Sequence, residues 1–157
     1  MQLFPRWIKK IIRPKPLWLD LGDPGAFIRP AGPFERWQDH GLGLLRTILH
    51  AKGEETDIIS LRSVARVQDL ADAFRNRECL LMNVRSYTFP FACEAASLFK
   101  QVNPRGWVIA GGMHAAVAPG EMERVEAFDH ICTGPGEEVI VPLGKDPKAF
   151  PRMIPAS

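Results

Sequence analysis

Two glycine-rich loops carry the residues of this chain that are best suited to holding a ligand. Gly-Gly-Met-His at 111–114 directly follows a short apolar run at 107–110, and Gly-Pro-Gly-Glu at 134–137 comes after a second run at 129–132. Short apolar runs bounded by turn residues are typical of buried strands. Glycine at the end of a strand lets the backbone turn sharply and lets a ligand approach it closely. These loops therefore predict a binding site built largely from backbone groups, with one imidazole beside them.

Polar turns follow two further apolar runs. Gly22 and Asp23 follow the run at 17–21, and the run at 79–84 is followed by Arg-Ser-Tyr-Thr at 85–88. In open α/β sheets ligands bind outside the carboxyl ends of the strands, so all four loops are expected to wall one pocket. We predict no catalytic residue and no protein ligand to a metal, because no convincing catalytic constellation is present. The predicted binding residues are Gly22, Asp23, Ser86, Tyr87, Thr88, Gly111, Gly112, His114, Gly134, Gly136 and Glu137.

The elements that must position these loops alternate between strand and helix. The alternation predicts parallel βαβ units with right-handed crossovers. We therefore expect an α/β fold with a doubly wound, flavodoxin-like (Rossmann-like) sheet of five parallel strands in the order 2-1-3-4-5. Residues 139–143 fit either a short helix or a strand. The predicted strands are 17–21, 56–61, 79–84, 107–110 and 129–132, and the predicted helices are 39–52, 67–77, one that ends near 102 and one that begins at 119.

Composition divides the chain into three segments. Residues 1–16 form a basic N-terminal extension, 17–144 the α/β domain, and 145–157 a proline-rich tail or linker that is predicted to be largely irregular. The extension is short for stable interfacial binding, so we favour a docked or loose terminus over membrane contact. The long loop at 22–38 carries three aromatic side chains that either line a pocket or only anchor the loop.

Length and charge argue against several classes of function. A chain of 157 residues is expected to form one domain, and its net charge of +2 is too small to indicate a nucleic-acid partner. No apolar run approaches the roughly 20 residues that span a bilayer, and we expect no signal peptide. The phosphate-binding motifs of P-loop and dinucleotide-binding proteins are absent.

The cysteines indicate neither a metal centre nor a disulfide framework. Cys79, Cys93 and Cys132 are widely spaced and match no zinc or iron–sulfur spacing. Cysteines of this kind usually behave as small buried apolar groups. Their odd number without pairing favours a reducing compartment, and we expect a cytoplasmic protein.

The ordered set of motifs resembles a known family. Gly-Gly-x-His at 111–114, a helix that opens with Pro119 and Glu121, Asp-x-Ile at 129–131 and Gly-x-Gly-Glu at 134–137 are similar to the cobalamin-binding domain that precedes the catalytic domain in many radical S-adenosylmethionine enzymes. The resemblance implies cobalamin as the ligand of the four loops. In that family small hydroxyl residues near the corrin and the nucleotide tail follow the third strand, and Ser86 and Thr88 stand at that position here. The tail at 145–157 resembles the linker into the radical domain.

Two departures from the family restrict what the resemblance implies. The Asp-x-His-x-x-Gly motif that supplies a histidine ligand to cobalt does not follow the first strand, so cobalamin is expected to bind without that ligand. The Cys-x-x-x-Cys-x-x-Cys motif is also absent, so an iron–sulfur cluster and S-adenosylmethionine would belong to a missing or separate domain. We therefore expect a cobalamin-binding module associated with a methyltransferase-like radical enzyme and not catalytic alone. The alternative is a non-binding scaffold or protein-interaction domain that retains only the fold.

Overall fold

The computed structural model describes residues 15–22 and 39–156, which form an α/β, Rossmann-like domain around one parallel sheet. Its six strands lie in the order β2-β1-β3-β4-β5-β6, and every neighbouring pair is parallel. Asp23 and the aromatic side chains of the loop at 22–38 lie outside the described residues. The strands are β1 (Leu17–Asp20), β2 (Asp57–Ser60), β3 (Cys79–Asn83), β4 (Trp107–Gly111), β5 (His130–Cys132) and β6 (Met153–Ile154).

Helices cover both faces of the sheet, but unequally. One face packs against α1 (His40–Ala51) and α6 (Ile140–Lys145), and its core includes Trp18, Leu81 and Ile109. The opposite face packs against the remaining helices and holds the larger core, around Phe74 and Phe99. The helices are α1 (His40–Ala51), α2 (Ala71–Phe74), α3 (Phe89–Val102), α4 (Met113–Val117), α5 (Pro119–Glu123) and α6 (Ile140–Lys145), with 3₁₀ turns at Leu61–Ser63, Val67–Leu70 and Pro147–Ala149.

The order of the first five strands is as predicted, but the prediction of five strands was wrong by one. The sixth strand comes from the proline-rich tail, where Met153–Ile154 pairs with β5. The backbone N–H of Ile131 donates to the carbonyl of Arg152 at 2.7 Å, and that of Thr133 donates to Ile154 at 3.0 Å. A strand of two residues is too short to show the alternation of apolar and polar residues by which a strand is recognised in a sequence.

The predicted helix at 67–77 is also different in the structure. It is a 3₁₀ turn at Val67–Leu70 followed by the short helix α2. Asn76 has φ 58°, in the left-handed region, which is incompatible with continuing an α-helix. Residues 139–143, which the sequence left open between helix and strand, lie largely within α6.

Asp39 ties the start of α1 to the end of β3. Its carboxylate accepts a hydrogen bond from the backbone N–H of Leu42 at 3.1 Å, as an N-cap. Both carboxylate oxygens also accept from Nδ2 of Asn83, each at 2.8 Å. Asp39, the first described residue after the gap at 23–38, therefore lies beside the carboxyl end of the central strand.

Helices able to cross a bilayer are not found in residues 15–22 and 39–156: none there combines the required length with sufficient apolar character.

Candidate functional site

A cavity of about 220 Å³ opens at the carboxyl edge of the sheet, on the face covered by α1 and α6. We call it the rim slot. Its floor is formed by side chains of three neighbouring strands, and Leu45 of α1 forms part of one wall. The lining residues are Trp18, Gly41, Leu45, Leu81, Met82, Asn83, Ile109, Gly111, Gly112, Cys132, Gly134, Pro135, Gly136, Glu137, Val139, Ile140 and Leu143.

The two predicted glycine loops form one end of the rim slot. A Cβ atom at Gly136 would lie 3.0 Å from Cδ1 of Leu45, and one at Gly134 would lie 2.5 Å from the backbone of Ala156. A Cβ atom at Gly111 would make ordinary contact with Cys132, at 3.4 Å. Glycine at 134 and 136 therefore lets the loop after β5 lie close to α1 and to the C-terminal tail.

Gly112 is required by the backbone as well as by the available space. Its φ is +101°, which L-residues rarely adopt. A Cβ atom there would overlap Oδ1 of Asn83 and would lie 2.8 Å from the backbone N and O of Val84. The turn after β4 therefore packs directly against the end of β3.

The interior of the rim slot is apolar. Aliphatic and aromatic side chains dominate its lining, and its polar side chains, Asn83 and Glu137, belong to the strand end and the loop at its edge. Trp18 is only 2% exposed, and its indole N–H has no hydrogen-bond partner among the described residues. The Cys132 thiol donates to the carbonyl of Gly134 at 3.4 Å, and burial raises the pKa of this thiol. The slot therefore suits a neutral, largely apolar group.

His114 and Ser86 lie away from the rim slot and contact each other. His114 is 5% exposed, and its Nδ1 lies 3.0 Å from Oγ of Ser86. Its Nε2 lies 3.1 Å from Oε2 of Glu121, an ion-pair distance without good hydrogen-bond alignment. The imidazole ring also packs on Phe89, with ring centroids 4.4 Å apart. Glu121 thus has a specific partner, which no spacing in the sequence indicates.

The structure divides the predicted binding residues into two groups. Gly111, Gly112, Gly134, Gly136 and Glu137 line the rim slot.

The remaining described members of the set lie outside the slot lining. Gly22 has φ 72° and packs beside Arg62, whose Nε is 3.3 Å from the position of a Cβ. Thr88 is buried, and its hydroxyl accepts from the backbone N–H of Arg85 at 3.0 Å. Tyr87 is exposed, and its hydroxyl accepts from Nη1 of Arg85 at 2.9 Å.

Sequence reasoning missed the apolar part of the slot. Trp18 and Leu81 alternate with residues of the opposite core along their strands, so period-two alternation could have assigned them to the α1/α6 face. Leu45 and Ile140 both line the slot because of the spacing between α1 and α6. No short sequence motif indicates that spacing.

The described part of the chain contains no group of three or more histidine, cysteine or acidic side chains placed to hold a metal ion. Comparison with known proteins adds no assignment: no family model matches the chain, and no curated protein matches it.

Proposed function

We propose that this domain binds cobalamin and serves a radical S-adenosylmethionine enzyme whose iron–sulfur cluster is held by a separate domain or chain. The observation that carries the proposal is the rim slot, an apolar cavity whose edge is formed by Gly111, Gly112, Gly134 and Gly136. These are residues on which the resemblance to the cobalamin-binding family rests. In this proposal the fold is the flavodoxin-like arrangement of that family, extended by one strand.

The size of the slot fits one part of cobalamin rather than the whole cofactor. Pockets that enclose a whole drug-sized ligand hold roughly 300–1,000 Å³. A dry cavity of roughly 150 Å³ is enough for benzene. At about 220 Å³ the rim slot has room for one or two aromatic rings, such as the base of the nucleotide tail. The corrin ring would then lie outside the slot, over the loops at the carboxyl edge.

The polarity of the site also supports placing the nucleotide base inside the slot and the corrin ring outside it. An uncharged aromatic base gains from transfer out of water into an apolar slot. The corrin carries amide side chains, which need donors and acceptors of the kind that glycine-rich backbone offers. Bound cobalamin would supply an alkyl- or electron-transferring cobalt, and the residues described here would bind and orient it.

Cobalt ligation by His114 is not part of this proposal. The ring is buried, and both of its nitrogens face other side chains, Ser86 and Glu121. Ligation of cobalt would require His114 to leave both partners. Cobalamin is therefore proposed to bind without a ligand from His114, as the missing Asp-x-His-x-x-Gly motif also implies for the loop after β1.

Reconstitution with hydroxocobalamin tests the proposal. We expect the purified chain to retain a corrin absorption spectrum after gel filtration and to melt at a higher temperature in the presence of excess ligand. Leu45→Trp should abolish retention because the indole would occupy the slot. Leu44→Trp is the matched control, since Leu44 is the neighbouring helix residue and is 48% exposed.

Cobinamide, which lacks the nucleotide tail, tests the role of the slot. We expect it to bind more weakly than cobalamin to the wild-type chain and equally to both tryptophan variants. Absence of any corrin retention or thermal shift in the wild-type chain would overturn the proposal and leave the scaffold or interaction domain as the better description.

A further inference from the structure

A second constellation lies on the opposite face of the sheet from the rim slot. It consists of Ser86, His114 and Glu121, which we call the Ser86 triad. We propose that the Ser86 triad is a nucleophilic site for acyl transfer from small esters, with Ser86 as nucleophile, His114 as base and Glu121 as the positioning carboxylate. This proposal does not rest on the cobalamin proposal.

The contacts of the imidazole define the role of each nitrogen. Nε2 of His114 lies 3.1 Å from Oε2 of Glu121, an ion-pair distance although the hydrogen-bond alignment is poor, and the negative charge of that carboxylate favours a proton on Nε2. In that tautomer Nδ1 carries the lone pair and accepts from the Ser86 hydroxyl, whose Oγ lies 3.0 Å away. A hydroxyl, a base within hydrogen-bond reach and a third group that orients the base are the signature of an activated nucleophile.

The chemistry needs an accessible nucleophile and a base that is held in place, and the exposure of Ser86 and His114 fits both requirements. Ser86 is exposed, so a substrate can reach its hydroxyl. His114 is 5% exposed and packs on Phe89, so its ring is held in place and shielded from water. The backbone N–H of His114 donates to the carbonyl of Val84 at 3.0 Å, which fixes the residue against the end of β3.

The position of Ser86 also favours charge development on a substrate oxygen. Ser86 lies in the turn between the central strand β3 and the N-terminus of the 14-residue helix α3. The helix dipole is positive at that end, which favours negative charge on a nearby oxygen, such as the oxyanion of a tetrahedral intermediate.

Exposed apolar side chains flank the triad and point to the substrate class. Tyr87 follows Ser86 and is 44% exposed, and Met113 precedes His114 and is 65% exposed. Val117, one helical turn after Met113 on α4, is also 65% exposed. These exposed apolar side chains suit the short apolar acyl group of an ester.

The proposed reaction has two balanced steps. The Ser86 oxygen forms a bond to the ester carbonyl carbon, the bond from that carbon to the alcohol oxygen breaks, and the hydroxyl proton passes through Nδ1 of His114 to the departing alcohol. Water then attacks the acyl-serine and loses a proton to Nδ1. The carboxylic acid is released, and Ser86 recovers its proton.

Covalent labelling tests the site directly. An alkyl fluorophosphonate, which reacts with activated serines by forming an O–P bond and expelling fluoride, should label the full chain once, at Ser86. Peptide mass spectrometry should locate the adduct. Hydrolysis of p-nitrophenyl butyrate by the same preparation should be lost as the label is incorporated.

Variants separate the triad from ordinary surface serines. Ser86→Ala should abolish labelling and hydrolysis, whereas Ser97→Ala, at an exposed serine on α3, should leave both unchanged. Glu121→Gln should lower the labelling rate at least about tenfold, because the orienting carboxylate is lost. Glu121→Asp should restore part of the labelling rate, because it keeps a carboxylate beside His114. A merely structural role of Glu121 would not distinguish the carboxylate of Asp from the amide of Gln in this way.

Two outcomes would overturn the proposal. One is wild-type labelling and hydrolysis no faster than in a folded Ser86→Ala variant, with folding checked by thermal melting. The other is an adduct found at a serine or tyrosine other than Ser86. Either result can occur whether or not the chain retains cobalamin, so failure here is distinguishable from failure of the cobalamin proposal.

Discussion

At the scale of single residues, Gly112 has a structural role that is separate from any ligand. The backbone N–H of Val84 donates to the carbonyl of Gly111 at 2.7 Å, so the turn after β4 lies directly on β3. The positive φ and the lack of space at Gly112 follow from this approach. A substitution at Gly112 is therefore expected to lower the stability of the fold whether or not it affects ligand binding. Leu45 is the better position for testing the slot.

We expect Gly112→Ala to destabilise the domain by about 1–3 kcal/mol or more, because the new side chain is strained at this φ and overlaps Asn83. Gly120→Ala is the control: Gly120 lies in α5, and a Cβ there meets nothing within 4 Å. The control should be neutral or stabilising by up to about 1 kcal/mol. Urea unfolding measures both, and equal stabilities of the two variants would contradict the packing described for the turn.

Cys132 provides a reporter inside the rim slot. Burial raises the pKa of its thiol, so at pH 7–8 the reactive thiolate is scarcer than in an ordinary cysteine. We expect slow alkylation by iodoacetamide in the folded chain, with the rate rising as the pH approaches the raised pKa. Bound cobalamin should slow it further. Peptide mass spectrometry identifies the site, and alkylation of Cys132 at the rate of the urea-unfolded chain at neutral pH would show that the thiol is not shielded.

At the scale of elements, the sequence was most informative where apolar runs are long. The strand predicted at 79–84 is Cys79–Asn83, and the one predicted at 107–110 is Trp107–Gly111. Leu81 and Val84 are buried, as expected for the central strand. The prediction failed where single residues decide the outcome: the backbone of Arg75 is extended (ψ 139°) and Asn76 is left-handed, and together they end the helix expected at 67–77. Periodicity cannot reveal such a local choice.

Asp39→Ala tests the connection between α1 and β3. The substitution removes the N-cap of α1 and leaves Nδ2 of Asn83 without its carboxylate, so we expect a loss of about 1–2 kcal/mol in the free energy of unfolding. Asp72→Ala is the control, because the Asp72 side chain is 89% exposed and its ion pair with Arg75 lies on the surface. Equal losses from the two substitutions would show that Asp39 acts only as a surface charge.

At the scale of the whole molecule, the rim slot results from unequal cover of the two faces. The α1/α6 face is covered by one 12-residue and one six-residue helix, whereas the opposite face carries α3 and the other helices over the central strands. Among the described residues, the short α6 does not extend over the carboxyl ends of β3 and β4, where the slot opens. The sequence predicted four loops around one pocket, but only the two glycine loops line the slot, and Gly22 and residues 86–88 do not. It could not predict the slot itself, because that depends on the spacing between two helices distant in the chain.

The C-terminal tail adds a strand to the sheet and so forms part of this domain. Ile154 of β6 is 4% exposed and packs in the core of the α1/α6 face. Ile154→Ala should therefore destabilise the domain by about 2–5 kcal/mol, through lost burial and a residual cavity. Lys148→Ala, at an exposed residue of the same tail, should change stability by less than about 0.5 kcal/mol.

The same substitution should weaken cobalamin retention. Ala156 lies against Gly134, so the tail supports the loop that forms one side of the rim slot. When β6 detaches, the loop loses that support, and retention of the corrin spectrum should fall in Ile154→Ala at temperatures where the rest of the domain is still folded by circular dichroism. Stability and retention unchanged from wild type in Ile154→Ala would show that the tail behaves as the irregular linker expected from its prolines.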